Sequence, residues 1–137
     1  MNKRLSGSHE HAGIRNVVES WAGAVRRRDY EAILQNHSSD IVMFDVPPPL
    51  QSKGIAAYRK TWDLFFSCAP EPVVFDITGM NITAGEDVAF VVTTMHCTEP
   101  AANGERVELD FRLTIGLRKI DGQWTITHEH HSVPAAG

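Results

Sequence analysis

Two dipeptides, Asn103-Gly104 and Asp121-Gly122, each stand between long stretches rich in β-branched and apolar residues. Asn-Gly and Asp-Gly are strong hairpin signals, because both central residues of a type I′ turn need positive φ. With Ala84-Gly85-Glu86-Asp87 as a further turn, they divide the second half into strands over about Val73–Thr83, Val88–Thr98, Arg106–Lys119 and Gln123–His131. The expected result is an antiparallel meander. One face of such a sheet must be covered, and only the first half of the chain can supply the cover.

That half reads as helical. Ile14, Val17, Val18, Trp21 and Val25 recur at helical spacing and form one apolar face. Arg26-Arg27-Arg28 closes this helix as a solvated cap at the negative end of its dipole, a binding patch being the alternative, and Asp29 is an N-cap for a short second helix. Ile41–Val46 is a β-rich run stopped by Pro47-Pro48-Pro49, which cannot donate to a sheet ladder. Gly54 opens a third helix with a broad stripe of Ile55, Tyr58, Trp62, Phe65 and Phe66, and Pro70 and Pro72 forbid its continuation. Helices first and strands afterwards is an α+β order, with three N-terminal helices on one face of a strongly bent, mainly antiparallel sheet. Residues 1–12 are expected as a flexible start and 13–137 as a single domain.

The charge balance narrows the function classes. Thirteen Lys and Arg against 17 Asp and Glu leave a net charge of −4 in 137 residues, so no field draws the chain to nucleic acid or to an anionic membrane surface. No stretch reaches the 18 or so apolar residues of a membrane span, and Met1–His11 has no apolar core of a signal peptide. A cytoplasmic protein with neither a nucleic-acid nor a membrane partner is expected. Cys68 and Cys97 are far apart, outside any C-x-x-C spacing, and read as reduced thiols.

The run from Val17 to Pro49, then Gly54-Ile55-x-x-Tyr58 with Trp62 and Phe65-Phe66, and finally Gly122-Gln123-Trp124-x-Ile126-x-His128-x-His130-x-Ser132-x-Pro134, resembles the nuclear transport factor 2-like superfamily. Within it the chain is most similar to SnoaL-like, ketosteroid isomerase-related small bacterial proteins. The resemblance runs from about Ile14 to Pro134. It implies a cone-shaped (cystatin-like) fold with a pocket at its open end, frequent homodimers through the outer sheet face, and a cavity for a small apolar molecule. The superfamily holds isomerases, dehydratases, cyclases and non-catalytic proteins, so fold alone does not set the chemistry.

The resemblance also implies that Asp45, at the end of its apolar strand, is a base that moves a proton next to a carbonyl. The alternative is a turn carboxylate capping backbone at the proline run. In ketosteroid isomerases a tyrosine and a protonated aspartic acid hold the enolate oxygen; the corresponding positions here are Trp21 and a place near Thr114 or Ile115. Trp124, Ile126, His128 and His130 share one strand parity, which points both imidazoles into the cavity if Trp124 and Ile126 pack under the helices, with Glu129 outside. The pair reads as acid/base or hydrogen-bonding groups. Two metal ligands, with His96 or Asp45 as a third, are the alternative, and no metal or cofactor is expected. Arg112 interrupts an apolar strand and either enters the cavity beside Asp45 or runs along the outer sheet, with Asp110 and Glu108 as other partners. Trp21, Phe44, Tyr58, Trp62, Phe66 and Met80 are the side chains best placed to line the cavity, with His96 and Thr114 as polar neighbours, and simple core packing is the competing reading for each.

The readings converge on a small-molecule-binding protein. It is either a cofactor-independent isomerase, dehydratase or cyclase of a small apolar carbonyl compound, with Asp45, His128, His130 and Arg112 as catalytic residues, or a non-catalytic ligand-binding or assembly subunit.

Overall fold

A computed structural model describes residues 3–100 and 103–135, which form three helices and a six-stranded sheet. Helix α1 (Lys3–Arg26) carries the expected face: Ile14, Val18, Trp21 and Val25 are buried. It begins well before Ile14. Glu10 anchors the early turns, its carboxylate accepting from Lys119 Nζ at 2.9 Å and Trp124 Nε1 at 2.8 Å, so most of the expected flexible start is helix; its first two residues lie outside the described residues. Asp29 caps α2 (Tyr30–Leu34) by accepting from Ala32 N at 3.2 Å.

Strand β1 (His37–Phe44) ends one residue before the stretch containing the proline run, β2 (Ser52–Lys53) pairs back onto it, and Gly54, at φ 90°, turns the chain into α3 (Ile55–Cys68). A positive φ here favours glycine, which has no Cβ to clash. The meander follows as β3 (Phe75–Ala84), β4 (Val88–Pro100), β5 (Arg106–Ile120) and β6 (Gln123–Ser132). Asp121 and Gly122 both have positive φ, as a type I′ turn requires. At the other hairpin only Gly104 does, and Asn103 Oδ1 closes the loop by accepting from Glu105 N.

The sheet order is β2-β1-β6-β5-β4-β3, antiparallel throughout except that β6 returns to lie parallel to β1. Helix α1 packs against β3 and α3 against β1. Strand β5 shows the alternation of a sheet covered on one face: Phe111, Leu113, Ile115 and Leu117 are buried, and Arg112, Thr114 and Arg118 are exposed.

Strand β6 breaks that alternation. Leu117 pairs with Ile126 but Gly116 pairs with His128, leaving Thr127 as an extra residue in a β-bulge. Beyond Thr127 the inward positions are odd-numbered, and Glu129 and His131 are buried. The even-numbered parity holds only up to Ile126. His128 and His130 lie on the outer face instead, edge-on to Phe44 with ring centroids 4.9 and 5.2 Å away. Glu129, expected outside, is fully enclosed.

Candidate functional site

The end of β1, the start of β5 and the end of β6 meet the C-terminal half of α3 around a cavity of about 400 Å³. Its walls are apolar, with Met43 from β1, Trp62 and Phe65 from α3, Phe75 from β3, and Leu109 and Phe111 from β5. Phe75 locks this wall, meeting Trp21, Trp62 and Phe65 edge-on at 5.3, 5.7 and 5.8 Å.

Two polar side chains bear most on the chemistry of the cavity: Asp45 and His131. In the parallel ladder Met43 pairs with Glu129 and Phe44 with His130, and the residues that follow on the two chains, Asp45 and His131, both line the cavity. Asp45 Oδ1 accepts from Val46 N at 2.8 Å, so the carboxylate caps the turn and also borders the cavity. His131 stacks on Phe111, with ring planes 19° apart, and its Nε2 lies 3.0 Å from Glu129 Oε1. A carboxylate only accepts, so Nε2 carries the proton and donates. Among the described residues Nδ1 has no hydrogen-bond partner, and it is not among the enclosed unpartnered atoms. It is left to face the cavity as an acceptor.

Behind His131 lies a buried polar network. Glu129 Oε2 accepts from Tyr58 OH at 2.7 Å and from His37 Nε2 at 3.0 Å, while Trp21 Nε1 donates to Tyr58 OH at 3.0 Å. His37 Nδ1 lies 2.8 Å from the carbonyl oxygen of Gln35. Both ring nitrogens of His37 thus meet acceptors, a pattern that calls for a proton on each. Burial alone would push the Glu129 carboxyl up; the hydrogen bonds from His131 and His37 and the charge of His37 outweigh it and hold the group at about 2, against an ordinary 4.5. Burial, reinforced by Glu129, pushes the Tyr58 hydroxyl well above its usual range, so it stays a donor. Burial also pushes the Cys97 thiol up to about 11, and this cavity cysteine stays a thiol rather than a nucleophilic thiolate.

Of the residues expected at the site, Asp45 and Trp62 line the cavity. Trp21 and Tyr58 sit behind it in the network, and Trp21 is committed to Tyr58, not free to hold a substrate oxygen. The others lie elsewhere. His128 donates from Nδ1 to Val42 O at 2.6 Å. Arg112 donates to Ser132 Oγ at 3.1 Å on the outer face, away from Asp45, and Thr114 pairs there with His130. His96 is held on the outer face between Asp110, 2.7 Å away, and Glu108, and these two hydrogen bonds raise its pKa. Phe66 packs edge-on to Tyr30 under the Arg28 guanidinium, and Met80 packs against the core. Among the described residues no cluster of three His, Cys, Asp or Glu is arranged to hold a metal ion.

Sequence reasoning missed His37, Glu129 and His131. The signal available was the run His128-Glu129-His130-His131, which puts an ionisable side chain on the inner face in either register. Composition could not reveal the bulge that decides which.

A family model described as a SnoaL-like domain matches residues 14–136. Among solved structures, the chain is similar to a nuclear transport factor 2-like protein of unknown function from Pseudomonas putida, with 32% identity, 93% of this chain and 88% of that one covered, and a TM-score of 0.82. It is also similar to a ketosteroid isomerase-like protein from Erwinia carotovora, with 21% identity, 90% and 96% coverage and a TM-score of 0.75. The association domain of CaMKII from C. elegans matches with 21% identity, 93% and 98% coverage and a TM-score of 0.74. No curated protein matches.

The network sets a pH signature. Because the folded-state pKa of Glu129 is depressed, the unfolded chain binds more protons between pH 4.5 and about 2, so the stability Glu129 contributes is complete above 4.5 and is lost as pH falls through that window. Glu129→Gln leaves His37 without its anionic partner and is expected to cost about 3–5 kcal/mol at neutral pH. Urea denaturation of both proteins from pH 7 to 3 checks this: the stability gap narrows with acid, and a gap that is constant or absent contradicts the charge assignment.

Proposed function

The chain belongs to the SnoaL-like family, and from that premise we propose that it is a cofactor-independent enzyme moving a proton on a small, largely apolar carbonyl compound. One observation carries this reading: an imidazole faces the apolar cavity while a buried carboxylate holds its far nitrogen. In that arrangement His131 Nδ1 takes the proton next to the carbonyl, and Glu129 stabilises the imidazolium as it forms. The proton then returns at a second carbon, an isomerisation, or passes to a hydroxyl that leaves as water, a dehydration. Dehydration fits better. Among the described lining residues no Lys, Arg or Tyr is placed to hold an enolate oxygen, whereas departure of the hydroxyl as water, protonated by the His131 imidazolium, relieves the enolate charge directly. Asp45, which lines the same cavity as His131, accepts hydrogen bonds from donor groups on the substrate and fixes its orientation.

Deuterium exchange at the carbon next to the carbonyl, and water loss from hydroxyketones, assay this without a known substrate. His131→Ala is expected to lower either rate about 10²–10⁴-fold. An unchanged rate in a folded variant removes His131 from the chemistry. A second reading, a non-catalytic ligand-binding or assembly subunit, draws support from the same shortage of enolate donors. It predicts exchange no faster than in buffer, with the ligand recovered unaltered.

We further propose a homodimer through the outer sheet face. Phe90 and Val92 stand two residues apart on that face of β4, 49% and 50% exposed, and the helices cover only the other side. Sedimentation is expected to give a dimer for the native chain and a monomer for Val92→Asp; a native monomer at micromolar concentration refutes it.

A further inference from the structure

The polar inventory of the cavity is one-sided. Asp45 and Glu99 both line it, and among the described residues no Lys or Arg does. One oxygen of Asp45 is spent on Val46 N–H; the other has no hydrogen-bond partner among the described residues. Thr61 spends its hydroxyl proton on the carbonyl oxygen of Tyr58 at 2.7 Å, leaving only lone pairs. His131 is 93% buried by its 7% exposure, and it lines the cavity with Nε2 committed to Glu129, so Nδ1 is again an acceptor. The remaining wall is dominated by aromatic rings, Trp62, Phe65, Phe75 and Phe111, whose faces carry negative potential. An anion entering this space meets the half-buried Asp45 carboxylate, π faces and no cationic side chain, with the exposed Glu99 carboxylate at the same wall. A neutral carbonyl compound finds no strong side-chain donor at the cavity surface, because the two unpartnered donors of the lining, Trp62 Nε1 and Thr98 Oγ1, are enclosed behind it. A protonated amine finds carboxylate acceptors, a free imidazole nitrogen and ring faces together.

Resting on the reading that this cavity holds the carbonyl substrate, we infer that it selects a substrate that is also a hydrophobic amine: a ring-sized apolar body carrying an ammonium group, seated against Asp45 with Glu99 at the same wall. The ammonium supplies the donors that the lining lacks, and its charge is matched by the carboxylates. Carboxylates, phosphates and other anionic forms of the same skeleton are rejected, because their charge meets only like charge and acceptors in a low-dielectric pocket.

The test compares three probes of one skeleton, phenethylamine, phenethyl alcohol and phenylacetate, by NMR titration at pH 7. The Trp62 indole signal reports occupancy of the cavity. Phenethylamine is expected to bind about tenfold more tightly than the alcohol, with phenylacetate weakest. Asp45→Asn, which keeps the cap on Val46 N–H, is expected to remove most of that advantage, and the double variant with Glu99→Gln all of it. If the alcohol binds as well as the amine and both move the Trp62 signal, charge selection is wrong while the cavity remains a binding site. The same holds if phenylacetate binds best, or if the double variant keeps the amine preference. If none of the three probes moves the signal, both the selectivity and the cavity reading fall.

Discussion

A single buried carboxylate organises this protein. Glu129 has no exposed surface, and an ionised carboxylate out of water costs several kcal/mol unless it is fully hydrogen-bonded. Its donors come from His37 at the start of β1, Tyr58 in α3 and His131 at the end of β6, and α1 joins through Trp21 and Tyr58. The four elements are distant in sequence, and each supplies one member of the network. The ionised state of Glu129 and the mutual placement of these elements are therefore one condition. Removing any donor leaves part of the charge uncompensated, whereas a leucine in a core is replaceable by a neighbour of similar volume.

The same carboxylate prepares the cavity. With its Nε2 proton held by Glu129, His131 has one tautomer and one ring orientation, and the nitrogen left over is the one available to a ligand. Asp45 reaches the same cavity because β1 runs parallel to β6 and ends just before it. Cavity walls made of Trp62, Phe75 and Phe111 enclose His131, which strengthens the electrostatic contacts it makes, while Asp45 is half-buried. The rigid sheet and the buried network thus fix the geometry before any ligand enters.

Much of the architecture was legible in the sequence, because turn chemistry and helical periodicity are local. Asp121-Gly122, the proline run, the Asp29 cap and the stripe through Tyr58 and Trp62 all stand where those signals place them. Asp45 was legible for the same reason, being fixed by a strand end and a proline turn. The inward face of β6 was not. A period of two is reliable until one residue is inserted, and Thr127 shifts every later side chain to the other face. Tyr58 reads as one aromatic among several, because its pairing with a carboxylate 71 residues away is a product of the fold. The two-residue β2 and the polar opening of β1, His37-Ser38-Ser39-Asp40, carry no strand signal of their own.

The most direct test is the titration of the Glu129 side-chain carboxyl carbon by ¹³C NMR in the full chain. Its signal is predicted to remain that of a carboxylate down through pH 4 and for as far as the fold survives below that, consistent with a pKa of about 2. A titration midpoint at or above the ordinary 4.5 would mean that Glu129 is exposed or unpaired. His131 would then have no fixed tautomer, and the site described above would not exist.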